Sequence, residues 1–230
     1  MKIEVITVVY NEEFLLPFFL RHYNFADKIT VFYDEASTDK TLKILQSNSK
    51  VKIYPFRFLN GLNETEKIYM INKAYRKSRA KYCIIVDCDE FVFMPKYLWR
   101  NIYFCRLYQA MNIELNKNKT IKEQCNNGYL DPLYLKPSVI KTRKRFKLKE
   151  GHHEVTRYYI KIRPFINIIN GVHLNMMNWK FYKNRMLKDR IPRQSDYNIK
   201  KGFSRQFTNL SIEALRVHYN ECLLKCHKLW

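Results

Sequence analysis

Val86-Asp87-Cys88-Asp89-Glu90-Phe91 sets three carboxylates at the end of the apolar run Tyr82 to Val86. In an extended segment alternate side chains share a face, so Asp87 and Asp89 are expected on one side and Cys88 on the other. Two hard oxygen donors at the exit of a buried strand are costly unless something positive lies between them. Mg²⁺ or Mn²⁺ holding a diphosphate is the usual solution. A plain polar strand end is the competing reading, since Asp-x-Asp is common by chance.

The elements that position these groups repeat a strand-then-helix pattern over the first 90 residues. Ile3 to Val9 is a β-branched run followed by Asn11 as a helix cap and a helix through about His22, with Pro17 near its first turn. Lys28 to Tyr33 leads through Asp34 and Ser37-Thr38-Asp39 to a helix at Leu42 to Leu45, and Val51 to Tyr54 precedes a helix opened by Asn63-Glu64-Thr65-Glu66, which has capping-box spacing. Alternation of this kind predicts an α/β class with a mostly parallel sheet, whose ligands bind beyond the carboxyl ends of the strands. Asn11, Asp34 and Asp87 each follow a strand, so one rim should collect all three. Each also has a plain reading, Asn11 as a cap and Asp34 as a turn former.

At 230 residues one domain is expected. Charge is uneven: residues 1 to 90 carry 14 Lys+Arg against 12 Asp+Glu, and residues 91 to 230 carry 28 against 9. A basic second half favours anionic partners, among them nucleotide phosphates, lipid head groups, acidic glycans and nucleic acid, without choosing between them. The six cysteines show neither Cys-x-x-Cys nor zinc-finger spacing, which suggests reduced thiols and a cytoplasmic protein. No stretch reaches the ~18 apolar residues of a membrane span, so any contact with the inner face of the cytoplasmic membrane would be peripheral. Residues 112 to 127 read as a flexible loop, and Lys141 to Lys149 as either a phosphate-tracking run or a lysine-protected edge strand.

Together, Thr7-Val-Val-Tyr-Asn-Glu-Glu13, Asp34-x-x-Ser37-Thr38-Asp39-x-Thr41 and Val86 to Phe91 resemble a family-2-like bacterial glycosyltransferase of the nucleotide-diphospho-sugar-dependent GT-A fold. Gly151-His-His153, Gly171-Val-His173 and Arg185 through Asn198 resemble the second half of one subgroup, so the likeness spans about residues 3 to 205. It implies a nucleotide-binding half (1–93), an acceptor half (94–230), and a metal-dependent, sugar-transferring enzyme of surface polysaccharide or lipopolysaccharide assembly. The partners implied are a nucleotide-sugar donor and a glycan or lipid-linked acceptor, with no nucleic acid.

Tyr10, Asn11, Glu12, Glu13 and Asp34 would then face the donor nucleoside, Lys67, Arg185 and Arg193 its phosphates, with Arg190 a further candidate. Asp87 and Asp89 would act with the cation, joined by a histidine; His173 is the first choice, with His153 and His152 as rivals. Bond cleavage develops an oxocarbenium-like sugar and extra charge on the leaving diphosphate, which a metal and basic side chains stabilise. An inverting transfer also needs a carboxylate base. The Glu-Asp pair usual after the metal motif is not evident, which leaves Glu154, then Asp131, then Glu90, and stereochemistry open. A basic nucleic-acid-binding protein and a non-catalytic GT-A-like module are the alternatives; no zinc finger, RNP-like motif or helix-turn-helix signature supports the first.

Overall fold

The computed structural model describes residues 2–163, 167–203 and 211–230, with the side chains of 132 and 133 set aside. Residues 204 and 205, the end of the stretch carrying the resemblance, lie outside it. The expected α/β pattern is present. Strands β1 (Ile3–Val9), β2 (Lys28–Asp34), β3 (Val51–Phe56) and β4 (Tyr82–Ile85) run parallel in the order β3-β2-β1-β4. Helices α1 (Leu16–His22), α2 (Thr41–Gln46) and α3 (Glu64–Lys77) connect them.

Period-2 alternation on β1 explains the layering. Val5 and Val9 face the core shared with Leu16 and Phe19 of α1, whereas Ile6 faces Ile68, Ile71 and Tyr75 of α3. Strand β4 is covered on both faces, and all four of its residues are buried, as expected for a central parallel strand. Helix α3 starts where the sequence placed it: the Asn63 side chain accepts the N–H groups of Thr65 and Glu66. Its Asn63 amide donates to the Glu66 carboxylate, so the reciprocal arm of the box closes side chain to side chain.

After β4 the chain is more regular than its sequence suggests. Strands β5 (Glu90–Val92), β6 (Ile102–Ala110), β7 (Asn127–Lys141) and β11 (Ile168–His173) extend the sheet as β4-β7-β6-β11-β5, and β12 (His227–Lys228) pairs with β7. Strand β7 is antiparallel to both β4 and β6, and it bulges at Ser138, beside Pro137, where two β7 residues oppose one step of β6. A small second sheet joins β8 (Phe146–Leu148), β9 (Val155–Arg157) and β10 (Ile160–Lys161). Within the expected loop at 112 to 127 lies a one-turn helix, α4 (Ile121–Gln124), fixed by a Thr120/Glu123 capping box. Helices α5 (Trp179–Arg185), α6 (Asp196–Lys201) and α7 (Ile212–Leu223) complete the chain, with a π-helical turn at Met186–Arg190 continuing α5.

Strand β11 lies between β6 and β5, pairing His173 with Glu90 and Gly171 with Val92. It thereby brings a residue from the second half to the acidic turn. A Cβ on Gly171 would come within 2.6 Å of the Phe91 carbonyl oxygen and 2.8 Å of the Cys105 sulfur. Gly171→Ala should therefore cost about 2 kcal/mol of stability, as overpacked cores do, lowering the thermal midpoint by roughly 4–8 °C for a chain of this size. An unchanged midpoint would show that β11 does not hold this register.

Candidate active site

The first two loops of the rim are tied to each other. Asn11 is a left-handed residue (φ 50°) rather than a helix cap, because α1 begins only at Leu16. Its side chain accepts the Thr38 N–H at 2.8 Å and donates to Asp189 at 2.8 Å. The Glu12 N–H donates to Thr41, and Glu13 receives the Lys40 N–H while its own N–H goes to Asp39. Glu13 is thus a loop clamp. Asp34, buried at the end of β2, accepts the Ala36 N–H and the Arg193 guanidinium, which lies 3.9 Å from the Tyr10 ring centre.

The acidic motif departs from a strand. Cys88 and Asp89 form a turn closed by the Glu90 N–H on the Asp87 carbonyl at 3.0 Å, so the expected alternation of Asp87 and Asp89 along one strand does not hold. Instead each carboxylate has its own cations. Asp87 meets Lys67 at 3.0 Å and Lys136 at 3.4 Å. On Asp89 three groups converge at one oxygen: Arg185 at 3.0 Å, Arg190 at 3.2 Å and His173 at 3.3 Å. Burial would raise both carboxyls, but Lys67 and Lys136 outweigh it for Asp87, and Arg185, His173 and Arg190 for Asp89, holding both well below the usual range.

Two buried groups organise this charge. Arg185, at the end of α5, grips Glu12 with two hydrogen bonds of 2.9 and 2.7 Å, while its second amino group also reaches Asp89. Lys136 projects from β7 beside the Ser138 bulge, between Asp87 and Glu90. Burial would lower Lys136; Glu90 and Asp87 reverse that and push it above its ordinary value. Neither Lys136 nor Asp189 stood out in the sequence. Lys136 sits in a run that reads as an ordinary strand, and Asp189 is delivered by the π-helical turn, a local irregularity common at functional sites.

Glu90, considered as a base, is wholly buried and engaged: one oxygen takes the Lys136 ammonium and the other the Asp87 N–H. Replacing Lys136 by methionine strands that carboxylate, and the expected cost is about 3–5 kcal/mol. Thermal unfolding checks it: a midpoint drop of roughly 10 °C or more is expected, much of it recovered when Glu90→Gln is added to the same chain. An unaltered midpoint for Lys136→Met would refute the role.

The remaining sequence candidates separate. Glu154 lies at the surface beside Lys161, outside the charged cluster. Asp131 is half-buried on β7, where its charge acts on Tyr134, whose ring lies 4.8 Å from His173. His153 is exposed with its ring 6.1 Å from Tyr134, and His152 is buried against the Pro137 carbonyl at 3.2 Å. His173 is therefore the histidine brought to the acidic motif.

A cation-binding role is testable on these atoms. Asp89 and His173 place an oxygen and an imidazole nitrogen 3.3 Å apart, about the spacing of neighbouring donors on one ion, and the other Asp89 oxygen is buried without a hydrogen-bond partner among the described residues. No group of three or more His, Cys, Asp or Glu converges on an ion among the described residues. The set thus fits a cation that takes its other ligands from a diphosphate or water, as Mg²⁺ commonly does. The space between Tyr10, Lys67, Asp87, Arg185, Arg190 and Arg193 is only about 50 Å³.

Residues 4–98 match the family described as Glycosyl transferase family 2. No curated protein sequence matches the chain. Among solved structures, S. aureus TarS 1-349 is similar at 14% identity and a TM-score of 0.43 over 91% of this chain and 71% of that one. The same protein in complex with UDP-GlcNAc gives 15% identity and 0.43, covering 91% and 72%. Glucosyl-3-phosphoglycerate synthase from Mycobacterium tuberculosis, in complex with Mn²⁺, UDP and phosphoglyceric acid, gives 13% and 0.35 over 47% and 43%.

Proposed function

We propose that this chain, family-2-like over residues 4–98, is a glycosyltransferase that moves a sugar from a nucleotide-diphosphate donor to a hydroxyl acceptor. The observation that carries the reading is the acidic turn, Asp87 to Glu90, set at the carboxyl end of β4 among five cations, Lys67, Lys136, Arg185, Arg190 and Arg193. Such a set matches a ligand that is itself anionic. Arg193 covers the face of Tyr10 on which a base would stack, and ~300 Å³ or more is usual for a small-molecule site. Donor binding therefore requires Arg193 and Arg190 to exchange Asp34 and Asp89 for donor phosphates.

Asp89 and His173, with Asp87 beside them, would hold Mn²⁺ or Mg²⁺. The ion would supply Lewis-acid stabilisation of the leaving diphosphate. Lys67 and Arg190, both partly exposed at the cleft, add fixed positive charge where negative charge grows. Of the three carboxylates considered as base, Asp131 is favoured, because its charge acts on Tyr134, whose ring lies 4.8 Å from His173. Residues 1–93 then form the donor half and 94–230 the acceptor half of one domain.

Calorimetric titration with UDP, GDP and CMP, with and without Mn²⁺, tests the donor site: one nucleotide should bind, more tightly with metal. Asp131→Asn should then lower turnover about 100-fold or more with nucleotide affinity unchanged, the pattern of a lost general base. Absence of nucleotide binding under both conditions would remove the basis of this function.

A further inference from the structure

The hairpin of β9 and β10 carries chemistry that a glycosyl-transfer site does not use. Register pairs Arg157 with Ile160, so the turn between them is only Tyr158-Tyr159. Both tyrosines have left-handed backbones, φ 49° and 67°. Two-residue hairpin turns of this hand strongly prefer Asn-Gly, because side chains with a Cβ are strained there and aromatic ones more so. Burial does not repay that strain: Tyr158 is 60% exposed, Tyr159 102% and Ile160 69%. Backbone strain displaying three large apolar side chains to solvent points outward, to something the tip touches.

Charge identifies the occupant. Lys147 of β8 and Lys161 of β10 both pair with Thr156 of β9, so they share the outward face of the small sheet. Arg157 lies 5.1 Å from the Tyr158 ring centre. Residues 141 to 163 hold nine Lys+Arg against two Glu, one of which, Glu154, is paired with Lys161. Tyrosines with an apolar neighbour, ringed by lysine and arginine, are the side chains that settle at a bilayer's head-group level. No helix among the described residues is long and apolar enough to cross a membrane, so the contact would be peripheral.

We infer that the Tyr158-Tyr159 tip, with Ile160 and the surrounding cations, docks this chain onto an anionic lipid surface. The aromatic tip would enter the interface while the basic residues meet the head groups. Docking does not depend on the donor site and is measured without it.

The test is co-sedimentation of the full chain with vesicles of phosphatidylcholine alone and of phosphatidylcholine mixed with phosphatidylglycerol. Wild type should bind only the mixed vesicles, and added salt should weaken binding. Tyr158→Asn with Tyr159→Gly installs the residues the turn prefers, so the fold is kept or gains stability while the tip is removed. That variant should lose vesicle affinity about tenfold or more, and Lys147→Glu with Lys161→Glu should lose as much. Equal binding to neutral vesicles, no binding of wild type to mixed vesicles, or retained binding by the Asn-Gly variant would each overturn the proposal. Calorimetric nucleotide binding by the same variants should match wild type, which keeps failure here distinct from failure of the donor site.

Discussion

Turnover falls about 10³-fold in Asp89→Asn, a loss on the scale of removing a preorganised transition-state contact. The physical reason lies in how unevenly this carboxylate is used. One oxygen takes Arg185, Arg190 and the His173 imidazole, and the other is buried without a partner among the described residues. A carboxylate serving the fold alone would have both oxygens satisfied, since an unmet buried acceptor is costly. Asparagine keeps the shape but removes the charge that holds the two arginines at the cleft. Arg185 retains Glu12, and Arg190 is about one-third exposed and can turn to water. The folded state should therefore survive, with about 2–3 kcal/mol lost, less than breaking a fully buried pair. Steady-state rates on the donor selected by calorimetry, together with a thermal midpoint, decide the matter. A variant that turns over within threefold of wild type would rule out Asp89 as part of the chemistry.

The sequence resolved the rim of β1 to β4 better than the rest for identifiable reasons. Strands β1 to β4 are β-branched runs with turn chemistry at their ends, and α3 carries a cap whose hydrogen bonds form. Such signals are local. Lys136 was invisible because its meaning depends on a bulge that aims it at Asp87 and Glu90, some fifty residues back in the chain. Glu154 looked chemical by adjacency to two histidines, yet the hairpin turns it toward Lys161. His173 was legible for a related but opposite reason: it ends a clear strand pattern, and that strand's long-range pairing delivers it to Glu90. The short β5 and the bulged β7 carry too little periodicity to announce a sheet. Tertiary pairing supplies what local pattern does not.

His152 should make stability fall with acid well above the carboxylate range. Its ring is buried against the Pro137 carbonyl, and burial, with Lys136 nearby, lowers its pKa from 6.5 to about 3. A histidine depressed in the fold contributes stability that is complete above its unfolded pKa of 6.5 and is lost as pH falls toward 3. At about 1.4 kcal/mol per pH unit, that is about 2 kcal/mol gone by pH 5. His22, lowered by burial that outweighs its hydrogen bond to the Val92 carbonyl, adds to the same slope. Asp87 and Asp89 lose their contribution only below their unfolded value of 3.8, outside the interval from 6.5 to 5. Burial raises Glu12 and Glu90, which act in the opposite sense, but they are common to any two variants compared and cancel in the difference. The comparison is wild type against His152→Asn, in urea unfolding at pH 7 and pH 5. Asparagine tolerates the left-handed backbone at this position (φ 59°) and keeps a donor for the Pro137 carbonyl. The variant should show a pH-dependent loss smaller by about 2 kcal/mol over this interval. Equal losses in the two proteins would mean that His152 titrates in the fold as it does in water, and the buried imidazole would not be the source of acid sensitivity.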